Sequence, residues 1–412
     1  MMIRQHGSAI LLVTSVLLLA ALVITLGSAR QMFFLLKQAN NHIKSRQQHW
    51  LAEGALECAM AQIQPLKVWP DILSDCLDGK GILPQVTSTA TGFLVSANAG
   101  FAHLRKEIQI GGDLSAGALQ SSADLYFHGS ASFSTPDPGA VTEQGWQCVA
   151  IRYRDQLVTT GAENKGLSAI TPPYTGFPEP GMPGYCAAGH QTRSSSGTDL
   201  GQDFVRDESV EPFSAFFGVQ AGQYARIRDA GSFTVLHGSG LPVRVEACGS
   251  KVANLVEMGQ RHIWVEGGCE IEPQAYARLV QASQMTDGII LLIHDGVFSL
   301  MSDASAATLP ALKGVMFLVN HDYTPQLADW SGFEAASYLQ HEPNDIAIEV
   351  RQRAAYFQHG AISVSGGQFF AATGQAAIFY TTLDFAYNRD TVDAIRRTHA
   401  KIVWREGSWY AR

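Results

Sequence analysis

The most constraining feature of the sequence is an uncharged apolar stretch close to its N-terminus. Residues 8–29, SAILLVTSVLLLAALVITLGSA, contain no charged side chain, and sixteen of these 22 are Ala, Val, Ile or Leu. About 20 such residues are enough to cross a bilayer as a helix. Arg4 precedes the stretch, which predicts an N-terminus on the cytoplasmic side. The sequence therefore predicts a protein that is tethered to a membrane or exported across it.

Composition excludes several other classes. Apolar residues make up 46% of the 412-residue chain and charged residues only 16%, whereas a disordered chain needs low hydrophobicity and high charge. A formal net charge of −8 argues against a nucleic-acid binder, because no basic surplus exists to neutralise phosphates. Only one stretch is long and apolar enough to span a membrane, which excludes a polytopic membrane protein.

Helical periodicity continues beyond the apolar stretch. No Pro occurs until Pro65, and apolar residues recur mostly at spacings of three, four or seven. We therefore predict one continuous helix over residues 8–64, about 85 Å long at about 1.5 Å per residue, first transmembrane and then periplasmic. The apolar positions of its second half are Phe33, Leu36, Ile43, Trp50, Leu51, Ala55, Cys58, Ala59 and Ile63.

Three interpretations of this segment are open. A cleavable secretory signal would fit the small residues at 27–29, although the apolar run exceeds the roughly 7 to 15 residues of a signal peptide's apolar region. A plain membrane anchor is the second. The third is a subunit of a filament in which long N-terminal helices bury one another, and this one accounts for the continuation of the helix.

The N-terminal 64 residues resemble the PilX type of minor pilin. The resemblance rests on a short basic leader ending in Gly7, on SAILL at 8–12, and on RQQHWLAEGAL at 46–56. It implies that prepilin peptidase cuts between Gly7 and Ser8 and methylates the new N-terminus. It also implies other minor pilins and the major pilin as partners, with a tip adhesin as a further one, and insertion into the inner membrane through residues 8–29.

Two positions depart from most pilins. The first mature residue is Ser8, where major pilins have Phe or Met, and the fifth is Leu12, where most pilins carry Glu. In a filament that carboxylate neutralises the terminal amine of a neighbouring subunit, and an unpaired charge in such surroundings is costly. We therefore expect a tip or initiating subunit. It would lie in the inner membrane with a periplasmic body and then at the pilus tip, on the surface of a Gram-negative bacterium.

Beyond residue 65 the pattern becomes β-rich, so the predicted fold class is α+β. Short apolar runs alternate with Gly, Ser, Asn and Asp, and several runs are apolar at nearly every position, as in strands buried on both faces. Two arrangements of the body are open, a right-handed β-solenoid and a two-sheet sandwich. The predicted strands lie at 92–97, 106–110, 123–129, 146–153, 232–238, 242–248, 261–268, 288–296, 313–320, 344–350, 361–372 and 375–381.

The predicted division of the chain has five parts. A leader (1–7) and the long helix (8–64) precede a β-rich pilin-like domain (65–160), a loop or linker rich in Pro and Gly (161–203), and a larger β-rich domain (204–412). Short helices are predicted at 208–218 and at 390–399, the second capped by Asp390. The ending WREGSW at 404–409 resembles the tails of large PilX-like proteins, as PFSAFFG near 212 resembles an internal phrase of theirs.

Six cysteines in a chain predicted to face the periplasm indicate disulfides. Fifteen connectivities are possible and the sequence does not choose among them. Proximity favours Cys58–Cys76, Cys148–Cys186 and Cys248–Cys269. Since C-x-x-C does not occur, zinc ribbons and thioredoxin-like chemistry are not expected.

Enzyme motifs are nearly absent, and we predict no catalytic residue, no metal and no cofactor. The sequence His237-Gly238-Ser239-Gly240 is predicted to be a turn, because it lacks the leading Gly of a nucleophile elbow. Polar residues at strand ends are usually solvated, so they are weak candidates for acid–base groups or a calcium site. These are His294-Asp295, Asn320, His321-Asp322 and Asp329.

Two functions from other classes stay open beside the minor pilin. An exported or anchored β-solenoid carbohydrate-active enzyme would need a groove of clustered charges, of which the sequence offers only Arg396-Arg397. An adhesin domain would be favoured by exposed aromatic residues in the 161–201 segment.

Overall fold

The structure is a computed structural model that describes residues 6–66, 73, 76, 82–89, 92–112, 114–129, 131–193, 199–340, 346–381 and 383–411. Residues 1–5 of the predicted leader and 344–345 of a predicted strand lie outside this set. The chain forms two compact units, Met1–Ile108 with Trp404–Arg412, and Gln109–Val403. Elements are numbered along the chain.

The first unit is built on one long helix, α1 (His6–Leu66), which confirms the predicted continuous helix. Its sheet has the order β1-β2-β3-β24, with β25 also paired to β3. Neighbouring β1 and β2 are antiparallel, as are β3 and β25. The strands are β1 (Gln85–Thr89), β2 (Gly92–Ala99), β3 (Ala102–Ile110), β24 (Ile402–Trp404) and β25 (Tyr410–Ala411).

The last third of α1 packs against this sheet. Its buried residues are spaced by three and four, so they form one stripe along the helix. Three of these six residues are Ala, whose small side chains allow the helix backbone to approach β2 closely. The stripe comprises Ala52, Ala55, Leu56, Ala59, Met60 and Ile63, and the buried sheet residues of the unit include Val95, Ala97, Leu104 and Ile108.

The second unit contains three parallel sheets. The eight-stranded sheet comprises, in spatial order, β12 (Phe204–Arg206), β9 (Ile151–Tyr153), β4 (Leu119–Ser121), β21 (Gln368–Ala371), β18 (Gly314–Val319), β16 (Ile289–His294), β14 (His262–Glu266) and β13 (Thr234–His237). The six-stranded sheet comprises β10 (Leu157–Thr159), β5 (Asp124–His128), β22 (Ala376–Tyr380), β19 (Ala354–His359), β17 (Phe298–Met301) and β15 (Cys269–Ile271).

A four-stranded sheet completes the set, with β11 (Ala162–Asn164), β6 (Ala131–Thr135), β23 (Leu383–Ala386) and β20 (Ile362–Val364). A short antiparallel pair, β7 (Val141–Thr142) and β8 (Gly145–Trp146), stands apart. The helices of the unit are α2 (Pro212–Phe217), α3 (Ala225–Arg228), α4 (Cys248–Glu257), α5 (Pro273–Ser283), α6 (Ala336–Gln340), α7 (Ile348–Gln352) and α8 (Arg389–His399).

Consecutive strands form rungs. Four rungs, β4–β6, β9–β11, β18–β20 and β21–β23, contribute one strand to each of the three sheets, whereas β14–β15 and β16–β17 contribute only to the two larger sheets, and β12 and β13 only to the eight-stranded one. The rung β4–β5–β6 pairs in parallel, strand for strand, with β21–β22–β23, which follow it by about 250 residues. On its other side it pairs with β9–β10–β11. The first rung of the chain therefore lies between the second rung and the last one.

Aromatic stacks run along the sheets because parallel strands in register place like side chains about 4.8 Å apart. Phe127 and Phe379 stack with ring centroids 4.5 Å apart, and Phe133 and Phe385 with 4.8 Å. Both pairs join the first rung to the last. On the eight-stranded sheet Phe317 stacks on Phe369, and three phenylalanines of α2 pack around them: Phe213, Phe216 and Phe217.

Two predicted strands are wrong. Residues 242–248 form turns with one isolated bridge at Arg244, Ala247 has a left-handed backbone with φ of +51°, and α4 begins at Cys248. In 344–350 the buried residues Ile346 and Val350 are four apart, a helical spacing, and α7 covers 348–352.

The two predicted helices differ in how closely they fit. Of the helix predicted at 208–218, only α2 forms. Pro212 occupies the first turn of α2, where its missing N–H costs nothing. The second is confirmed as α8, but its cap is Asn388, whose side chain accepts a hydrogen bond from Thr391 N. Asp390, the predicted cap, instead accepts one from Thr175 N at 2.7 Å.

The structure divides the chain differently from the predicted domains 65–160 and 204–412. Strands on both sides of the 161–203 segment belong to the same sheets, so the segment separates no domains. It contains β11 and a 3₁₀ turn at 188–190, and part of it packs on Trp146.

We predict that Phe379→Ala lowers the free energy of unfolding by about 3–5 kcal/mol, because it opens a cavity between the first and last rungs. Phe379 is fully buried against Phe127 and Tyr356. Urea denaturation of the full chain in detergent measures the change. Met285→Ala is the control, since Met285 is 87% exposed and should change stability by no more than about 0.5 kcal/mol. Equal effects of the two substitutions would contradict the rung pairing.

Candidate functional site

The first half of α1 offers an exposed apolar surface. Among the described residues, this is the one helix long and apolar enough to cross a membrane, and none of its apolar stretch is buried in the protein. Leu12 is 65% exposed. The predicted cleavage position, Gly7 and Ser8, lies in the first turn of the helix. Such a helix suggests membrane anchoring or a signal sequence.

The C-terminal tail lies at the edge of the same unit's sheet. Arg405 pairs with Glu107 at 2.9 Å, and Ser408 Oγ accepts a hydrogen bond from Glu107 N. Trp409 contacts His49 edge-on, with ring centroids 6.0 Å apart. These contacts give the WREGSW ending a structural role within the unit that contains α1.

Three disulfides join the cysteines, and the described part of the chain has no free one. Cys58 is joined to Cys76, Cys148 to Cys186 and Cys248 to Cys269, the pairs that proximity favours. The first ties the packed part of α1 to Cys76, the second closes the loop after β8, and the third links α4 to β15. Disulfides suggest an oxidising environment outside the cytoplasm.

The Pro- and Gly-rich segment buries most of its aromatic rings. Tyr174 and Phe177 pack with Trp146 around the Cys148–Cys186 bridge. Trp146 Nε1 donates a hydrogen bond to Pro183 O at 2.6 Å. Tyr185 is exposed, so a single aromatic ring of this segment faces outward among its described residues. The described part of this segment packs as a loop on Trp146 and the Cys148–Cys186 bridge.

A cleft of about 420 Å³ lies at the carboxyl ends of neighbouring parallel strands in the second unit. His237, Glu266 and His294 are the last residues of β13, β14 and β16 and lie side by side in register. The cleft is lined by Pro242, Val243, Glu266, Gly267, His294, Asp295, Tyr323 and Asp329.

Both carboxylate oxygens of Glu266 are engaged by neighbouring side chains. Arg228 of α3 contacts one carboxylate oxygen, and Nδ1 of His237 lies 2.6 Å from the other. The two acidic partners Asp229 and Glu266 raise the pKa of Arg228 further above its usual range, so it stays charged. Neither oxygen of Glu266 is therefore free for a ligand in the cleft.

His294 is buried in the wall of the cleft. Only 4% of its surface is exposed, and the Tyr224 ring lies over it with centroids 3.9 Å apart. Its Nε2 forms no hydrogen bond and lies 3.4 Å from Asp295 Oδ2. Burial lowers the pKa of His294, and the nearby Asp295 carboxylate offsets part of this effect. The neutral imidazole consequently leaves the charge of Asp295 in place.

Asp295 and Asp329 each hold a loop with one oxygen. Asp295, whose φ is +50°, accepts hydrogen bonds at Oδ1 from His321 N and Asp322 N, at 2.9 and 3.3 Å. Asp329 accepts at Oδ2 from Tyr323 Oη and Gln326 N, at 2.6 and 2.9 Å. In both carboxylates the second oxygen takes no part in these loop contacts.

The other weak candidates have structural or solvent-facing roles. Asn320 lies outside the cleft lining, and its side-chain amide forms hydrogen bonds with Gly296 and Gln375. Among the described residues, no group of three or more His, Cys, Asp or Glu side chains is arranged to hold a metal ion. His237-Gly238-Ser239-Gly240 forms the expected turn, in which Ser239 and Arg244 exchange two backbone hydrogen bonds.

Sequence reasoning missed Glu266, Arg228 and Tyr224. Glu266 ends a recognisable strand, as His294 does, but only the register shows that the two lie side by side. Arg228 and Tyr224 come from a short helical segment without apolar periodicity. No protein-family model, curated protein or solved structure matches the chain.

We predict that acidification destabilises the fold partly through His294. Its folded-state pKa is lowered, so the unfolded chain binds more protons. The contribution of the neutral His294 to the free energy of unfolding is fully present above about pH 6.5, the usual pKa of histidine. It is lost as the pH falls toward the folded-state pKa. The pKa of His359 is also lowered by burial, so a second, weaker dependence persists without His294.

His294→Phe keeps a ring beneath Tyr224 but does not titrate. Urea denaturation at pH 7.5 and 5.5 should therefore show a smaller loss of stability for this variant than for the wild type. His42→Asn, in the exposed part of α1, is the control and should retain the wild-type loss. An unchanged pH dependence in His294→Phe would show that the imidazole does not titrate as described.

Proposed function

We propose that this protein is a PilX-type minor pilin, a non-enzymatic subunit that initiates assembly of a type IV pilus or occupies its tip. The observation that carries the proposal is the form of α1, a single 61-residue helix. Its first half is apolar and exposed, while its last third packs on the sheet that contains the antiparallel pair β1 and β2. A plain anchor or a signal sequence has no need of such a continuous helix.

The proposed partners are the other minor pilins and the major pilin, with a tip adhesin as a further one. Residues 8–29 would lie in the inner membrane before assembly, with the disulfide-bonded body in the periplasm. After assembly the body would lie at the pilus tip on the cell surface. Leu12 supports a terminal position, because a subunit without a carboxylate there cannot neutralise a neighbour's terminal amine.

We also propose that the second unit is a right-handed β-solenoid. Support comes from the rung pairing, in which the order of strands is the same in all three parallel sheets. The handedness follows from the strong preference of parallel β crossovers for a right-handed path. Its role would be to present a rigid surface outward from the filament end.

Cleavage between Gly7 and Ser8 tests the proposal most directly. We expect intact-mass analysis to find a mature chain beginning at Ser8 only when prepilin peptidase is co-expressed. Gly7→Val should abolish cleavage, whereas Gly27→Ala, another glycine of the same helix, should leave it intact. A chain starting at Arg30 would identify a secreted protein, and an uncleaved chain a plain anchor. Either would overturn the proposal.

Leu12→Glu tests the terminal position separately. The new carboxylate would supply the charge that neutralises a neighbouring amine, so we expect part of the subunit population to move from the filament end into the shaft. Immunogold labelling of sheared pili measures the distribution. Leu12→Gln, which has a similar shape but no charge, should stay at the end. Labelling of the wild type along the whole shaft would contradict a tip position.

A further inference from the structure

The cleft beside β13 is an acidic site with an unsatisfied buried group. Since Arg228 and His237 occupy both oxygens of Glu266, the carboxylate oxygens left for a ligand in the cleft belong to Asp295 and Asp329. Each uses one carboxylate oxygen to hold a loop, and Asp295 directs its other oxygen toward His294 Nε2. At 3.4 Å that pair is longer than an ordinary N–H···O hydrogen bond.

The polar side-chain atoms left over in this lining are mainly acceptors. The Tyr323 hydroxyl, a donor, is already used by Asp329. Gly267 N donates to His294 O. A ligand that brings only donors and a positive charge matches such a lining, as the ammonium of Lys and the guanidinium of Arg do. A sugar brings acceptors as well as donors, and its acceptors would find few partners here.

The strand next to the cleft has an open edge. Among the described residues β13 pairs with β14 alone, and it ends the eight-stranded sheet. Its residues are only partly buried, and Leu241 and Val243 in the following loop are 98% and 50% exposed. An open edge with apolar neighbours can accept an extended segment by strand addition. At the opposite end of the sheet, β12 ends in Arg206 and is followed by Glu208, both exposed charges.

We propose that β13 and the adjacent cleft bind an extended segment of a partner protein, whose lysine or arginine side chain enters between Asp295 and Asp329. The segment pairs with the free edge of β13, and its apolar residues cover Leu241 and Val243. The cationic group donates hydrogen bonds to the carboxylate oxygens that do not hold the loops. This site is separate from α1, and it does not depend on the pilin proposal.

The test uses the full chain in detergent, with methyl-labelled Val243 as the reporter in NMR titrations. The probe is the blocked pentapeptide Ac-Thr-Val-Lys-Val-Thr-NH₂. It is compared with its lysine-to-norleucine form, with a form N-methylated along the backbone, and with Nα-acetyl-lysine methylamide. We expect saturable shifts with the pentapeptide and binding weaker by about tenfold or more without the charge, since a charged hydrogen bond contributes roughly 1.5–3 kcal/mol.

Asp295→Asn should weaken binding of the pentapeptide by a similar factor. Asn tolerates the left-handed backbone at this position and still accepts from His321 N, so the loop should keep its conformation. Asp287→Asn is the matched control, because it removes the same charge from an exposed side chain outside the cleft lining. The control should bind like the wild type.

Four results would overturn the inference. Equal binding of the norleucine peptide, or wild-type binding by Asp295→Asn, would exclude the cation site. Equal binding of the N-methylated peptide or of the blocked lysine alone would exclude strand addition to β13. A failure of prepilin cleavage would leave these titrations unaffected, so the two proposals fail separately.

Discussion

The body of this protein depends on the pairing of its first rung with its last. The strands β4–β6 and β21–β23 meet in all three parallel sheets, and two aromatic stacks, Phe127 on Phe379 and Phe133 on Phe385, fill the junction. Without this junction the early rungs would leave an apolar edge uncovered. Because the paired segments are about 250 residues apart, closure has to await synthesis of nearly the whole chain.

The same topology decides where a free edge exists. The early rungs extend the stack on one side of the junction, and the later ones on the other, down to β13. A strand at the end of a stack has backbone groups without a neighbour, and proteins usually protect them with charge or a short length. β12 has both protections. β13 is short and contains no Lys, Arg, Asp or Glu, and Glu266 of the neighbouring β14 lines the cleft. An edge kept open next to an acidic pocket is consistent with a surface meant for pairing.

Much of the fold could be predicted from local sequence. The uncharged stretch and the later apolar stripe predicted α1 to within two residues at each end. Runs such as 288–296 predicted strands correctly, since residues buried on both faces must be apolar throughout. Local patterns failed at 242–248, where one left-handed residue redirects the chain, and at 344–350, where Ile346 and Val350 fit both periods.

Long-range pairing was not predictable from those patterns, and the cleft depends on it. Glu266 and His294 looked like ordinary solvated residues at strand ends, and they become a site only because β14 and β16 are adjacent in register. The proposed terminal position has a more local basis. A missing carboxylate at Leu12 removes what a shaft neighbour needs, and a body of the second unit's size, residues 109–403, is difficult to accommodate among closely packed subunits. The two constraints are independent, one chemical and one steric. Both favour a place where one face of the subunit has no neighbour.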